Sequence, residues 1–106
     1  MLTNPRTAIN KLSETIDSLC HNDNRTREQA LLETLKWQMV PYSLGALHVL
    51  NNLTDDNPKA LTRQIIRVGQ KAAAYKAKSG CLNNHIRHLV YIGAAADSHM
   101  VRNYSV

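Results

Sequence analysis

The chain has no phenylalanine, one tryptophan, four glycines, three prolines and two cysteines in 106 residues. Each scarcity excludes something. No convincing period-two run of β-branched and aromatic residues occurs, so a sheet is not expected. Cys20 and Cys81 are too few for a disulfide framework and are expected as reduced thiols. There is no stretch of about 18 uncharged apolar residues, and the start at Met1 leads into no apolar segment. Neither a membrane span nor a signal peptide is expected, and the chain reads as cytoplasmic.

Acidic residues are missing from a long interval. Residues 1–56 carry five Lys and Arg against seven Asp and Glu, whereas residues 57–106 carry eight cations against Asp97 alone. Between 57 and 96 there are seven cations and no carboxylate. At physiological salt such a segment projects a positive field over about 8–10 Å, which favours an anionic partner.

What is present is helical periodicity. With 43% hydrophobic residues and a length that can bury roughly 65% of its unfolded surface, the chain can form one domain without metal or disulfide support. The fold class expected is all-α, a single-domain bundle of four to five helices near residues 4–20, 26–52, 58–78 and 83–102.

In the first helix Asn4 is placed to cap and Pro5 suits the first turn. Ala8, Ile9, Leu12, Ile16 and Leu19 fall on one stripe. After the polar break at residues 20–24, Thr26 with Gln29 reads as a capping box. The second helix then carries Leu31, Leu32, Leu35, Met39, Tyr42, Ala46, Val49, Leu50 and Leu53 in phase across Pro41, which predicts a kink there or a break into two helices. Trp37, Val40, Leu44 and Leu47 form a second apolar stripe on the opposite side, as expected of a central helix or of a homodimer face.

Asn57 and Pro58 start a third helix, which ends at Ser79 and Gly80 with lysines in its last turn. The fourth begins between Leu82 and Asn84 and presents Leu82, Ile86, Leu89, Val90, Gly93, Ala96 and Met100, with the tail from Tyr104 frayed. Gly69, Gly93 and the nearby alanines are small enough for the third and fourth helices to approach closely, which would offset the helix propensity the glycines lose. Asn4-Pro5-Arg6 and Asn57-Pro58-Lys59 recur 53 residues apart, a hint of two related helical hairpins, but beyond that tripeptide the match is poor and two helix starts of one type explain it.

Lys59, Arg63, Arg67, Lys71 and Lys78 lie within an arc of about 120° on the third helix, opposite Leu61, Ile65, Val68, Ala72 and Tyr75. Solvated helix faces ordinarily mix signs, because like charges four residues apart repel. A succession of cations at i, i+4, i+8 and i+12 therefore reads as a binding face, joined by Arg87 from the next helix. Its partner is nucleic acid, held by phosphates with Gln64 and Gln70 as candidate base readers, or an acidic protein surface docked by an adaptor, inhibitor or immunity-type module.

No zinc-finger spacing, phosphate loop or aromatic-basic RNA signature is present, and the interval 51–57 is long for a helix-turn-helix. Cys81, His85 and His88 share one flank with His99. A metal- or thiol-sensing role for them, with Cys20 or His21 completing a ligand set, is a minor alternative; no cofactor is expected. His48 reads as a hydrogen-bonded core or interface residue. With no legible nucleophile and base, paired carboxylates or phosphate loop, the protein is not expected to be an enzyme.

Overall fold

Helix α1 (Pro5–Leu19) turns its periodic stripe inward. Ala8, Ile9, Leu12, Ile16 and Leu19 are all buried, and Thr15 is buried beside them. The Thr15 hydroxyl donates to the Lys11 carbonyl at 2.9 Å, which keeps a buried polar group satisfied within its own helix. The last turn tightens: the Cys20 amide is shared between the Ile16 and Asp17 carbonyls, both at 3.2 Å, and the His21 amide donates to the Ser18 carbonyl. The computed structural model describes residues 5–21, 23–34, 46, 58–79 and 84–104.

Helix α2 (Asn24–Thr34) begins earlier than its capping box suggested. Asp23 is the cap. Its Oδ2 accepts from the Thr26 amide at 3.0 Å and from the Thr26 hydroxyl at 2.7 Å, and its carbonyl takes the Arg27 amide as the first helical bond. A carboxylate at the cap is a stronger acceptor than a threonine hydroxyl, so Thr26 becomes a donor inside the first turn. The same bonds, with the charge of His21 nearby, hold the Asp23 carboxyl below its usual range. Ala30 faces the core, while Leu32, expected on the buried stripe, is 61% exposed.

Ala46 is buried in the core. The kink or break expected at Pro41, the expected Trp37 stripe, His48, the expected Asn4 cap and residues 51–57 lie outside the described residues.

Helix α3 (Pro58–Ser79) is the central element, packed against both α1 and α4, while α1 also packs against α2. Leu61, Ile65, Val68 and Ala72 are buried as expected, and Thr62 joins them. Helix α4 (Asn84–Tyr104) runs through Tyr104 instead of fraying there. Its buried side is Ile86, Leu89, Ile92, Gly93 and Ala96, with Val90 and Met100 half-buried. Ile92 takes a place the expected stripe missed, because the face is rotated toward the histidine flank.

The two long helices meet at glycine on glycine. A Cβ added to Gly69 would lie 2.4 Å from the Gly93 Cα, and one added to Gly93 would lie 2.5 Å from the Gly69 Cα. The close approach expected from the small residues is present, and it is backbone against backbone. Among the described residues all regular structure is helical, four helices with no strand. No helix among them is long and apolar enough to cross a membrane.

Candidate nucleic-acid interface

Packing assigns the faces of α3. With α1 and α4 holding the side of Leu61, Ile65, Val68 and Gly69, the opposite side is left to the solvent. Arg63, Arg67, Lys71 and Lys78 are exposed and Lys59 is half-buried. At 1.5 Å per residue, the row from Lys59 to Lys71 is about 18 Å long, a stretch of duplex axis that carries about ten phosphate charges.

The five cations do not form one uniform strip. Among the described residues no carboxylate pairs with Arg63 or Arg67, and both border a shallow hollow of about 430 Å³ with Ala60 and Ile66. Lys71 differs: its ammonium is ion-paired with the Asp17 carboxylate of α1, the two side chains 50% and 56% exposed. Lys78 lies at the far end of α3. It lines a separate cleft of about 410 Å³ with Leu19, His21, Arg27 and Tyr75, between the end of α1 and the start of α2. Arg87 is exposed on α4, about 120° round that helix from Gly93, and so belongs to the outer surface of a different rod.

Helix α1 supplies a wall that the sequence reading did not assign. The Gln64 amide donates to Asn10 Oδ1 at 2.9 Å and to Ser13 Oγ at 3.0 Å. Gln64 is therefore engaged by the bundle and is not presented for base readout, whereas Gln70 stays exposed. Ser13, Asp17, Gln64, Arg67 and Lys71 surround a hollow of about 230 Å³ over the apolar floor of Ile16 and Val68. The signal was available in the sequence: Asn10, Ser13 and Asp17, at i, i+3 and i+7, make a polar stripe along the edge of the apolar face of α1.

The histidine flank of α4 is divided by burial. His85 is half-buried, and desolvation followed by the neighbouring charge of His88 lowers its pKa below the ordinary histidine value. His88 is exposed and stacks near Tyr91, with ring centroids 6.3 Å apart and planes 19° from parallel. Asn103 donates to the His99 carbonyl at 3.0 Å. Cys81 lies outside the described residues, and among those described no group of three or more His, Cys, Asp or Glu is gathered to hold a metal ion. Cys20 is exposed, and the His21 Nδ1 accepts from the Asp23 amide at 3.1 Å.

The lowered pKa of His85 has a measurable consequence. Its neutral form is favoured by folding, so the unfolded chain binds the proton more readily. This contribution is complete above about pH 6.5 and is lost as pH falls through the lower folded value. The urea midpoint is expected to fall between pH 7.5 and pH 5.5, and His85→Gln to flatten that interval. An undiminished pH dependence in the variant would assign the effect elsewhere. The loss due to Asp23 belongs to a separate, more acidic window, below the ordinary carboxylate pKa.

No protein family, curated protein or solved structure matches the chain.

Proposed function

We propose that this is a small, non-enzymatic regulatory or accessory protein of the cytoplasm that holds nucleic acid by its phosphates along α3. The reading takes the chain as one bundle of four to five helices, with a bend or break at Pro41. Lys59, Arg63 and Arg67 are the principal contacts, and Lys71 is shared with Asp17. Lys78 and Arg87 serve as outlying cations that a longer ligand reaches. Trp37, Val40, Leu44 and Leu47 supply a homodimer face in this reading.

One observation carries the proposal. Arg63 and Arg67 stand exposed on consecutive turns with no carboxylate partner among the described residues. An ordinary solvated face would intersperse acids to relieve their repulsion. Phosphates relieve it better, because each contact also releases condensed counterions.

The test is a salt titration of binding to random-sequence duplex. Four contacts predict a log–log slope of about −3 to −4. No binding at about 50 mM salt, or a slope flatter than about −1, would overturn the proposal. The second reading, docking on an acidic protein surface, is favoured by the half-buried Ile66 beside the two arginines. Apolar area between cations suits the core of a protein interface more than a phosphate backbone.

A further inference from the structure

We infer that the hollow between α1 and α3 is a phosphate subsite, built by Arg67, Lys71 and the Ser13 hydroxyl, in which the Asp17 carboxylate occupies the place of the ligand. The inference rests on the phosphate reading of α3 and gives it a defined position. Two cations one turn apart, Arg67 and Lys71, border the same space of about 230 Å³. Gln64 crosses from α3 to Asn10 and Ser13, fixing the distance between the walls. The base of the space is Ile16 and Val68, both buried, so a bound oxyanion would have cations on one side and an apolar floor beneath it.

Asp17 is the one carboxylate bordering that hollow among the described residues, and it takes Lys71 as its partner. Its oxygens satisfy one ammonium and leave the Arg67 guanidinium without an ion-pair partner among those residues. A phosphodiester carries two unesterified oxygens and can engage both cations together. Because both members of the Lys71–Asp17 pair are about half exposed, the pair contributes little to stability and yields readily to a competing anion. The site thus has a built-in competitor: weak anions leave the pair intact, and a polyanion displaces it.

The experiment compares salt titrations of a labelled random-sequence duplex on the full chain and its Asp17→Asn and Glu14→Gln variants. Glu14 is exposed on α1, outside the hollow, so its variant reports the general gain from deleting one negative charge. Asp17→Asn is expected to bind about two- to fivefold more tightly. Its log–log slope should stay that of the parent, because the duplex displaces Asp17 and reaches Lys71 in both, and only the cost of breaking the ion pair is removed. Glu14→Gln should bring a smaller gain with no change of slope. Adding Arg67→Gln to Asp17→Asn should remove the gain. If the parent chain binds duplex but Asp17→Asn and Glu14→Gln behave alike, the subsite is overturned while the reading of α3 stands. If the parent chain does not bind, both are overturned. Thermal melts of each variant confirm that folded protein is being compared.

Discussion

Gly69→Ala is expected to lower the melting temperature by more than about 10 °C, although a Gly→Ala change inside a helix ordinarily stabilises by about 1 kcal/mol. The sign reverses because the new methyl group would meet main chain. It would stand 2.4 Å from the Gly93 Cα, 3.1 Å from its nitrogen and 3.3 Å from the Leu89 carbonyl oxygen. A side chain can rotate out of the way; a helix backbone can only shift as a whole, and the core residues on either side oppose that. Overpacking costs about 1–3 kcal/mol where side chains can adjust, so about 3 kcal/mol is the expectation here. Each kcal/mol moves the melting point of a domain this size by about 4–8 °C. Gly93→Ala should act alike from the opposite helix. Ala73→Gly, on an exposed site of the same helix, should cost only about 1 kcal/mol from propensity. A Gly69→Ala protein that melts with its parent would show that the two helices do not cross there.

The second large effect concerns binding. Arg63→Gln combined with Arg67→Gln removes both arginines of α3 that stand without a carboxylate partner among the described residues, and both are exposed, so the fold should be unaffected. If each arginine neutralises one phosphate, the log–log slope should become shallower by about 1.8. Affinity at about 0.1 M salt should fall by about 30- to 100-fold. The loss should be uniform over duplex sequences, since phosphate contacts carry no base information. Unaltered binding with an unaltered slope would remove α3 as the contact surface. Loss of binding to an acidic protein, with duplex binding absent throughout, would establish the docking alternative.

Much of this architecture was legible residue by residue. The α1 stripe at Ala8, Ile9, Leu12, Ile16 and Leu19 and the buried face of α3 followed from apolar spacing, because strong amphipathic periodicity leaves a helix one way to bury itself. The close crossing at Gly69 and Gly93 followed from residue size alone. Local chemistry decided less clearly. Thr26 and Asp23 were both able to cap α2, and the carboxylate prevailed by taking the Thr26 amide together with the Thr26 hydroxyl that a capping box would turn toward the Gln29 amide. Leu32 was placed inside by continuing a stripe that α2 does not follow; Ala30 is the buried residue there.

The candidate site was legible as a row of charges but not as a surface. One-dimensional spacing puts Lys59, Arg63, Arg67, Lys71 and Lys78 on one side of a rod and says nothing of what stands beside the rod. Asp17 and Ser13 come from a helix some fifty positions away in the chain, and they change the meaning of Lys71 and Gln64. Lys78 shares its angular sector with the row but sits two turns farther along, where the end of α1 and the start of α2 make a different neighbourhood.

The contacts of α3 also set an order of assembly. Gly69 and Gly93 are close in sequence, with only four residues between α3 and α4, whereas Gln64 reaches Asn10 and Lys71 reaches Asp17 only across 54 residues. As the polypeptide leaves the ribosome, α1 emerges before α3, and the part of its oily side that α2 does not cover stays wet until residues 58–79 have been synthesised. The later-made helices thus complete the shelter of an earlier one.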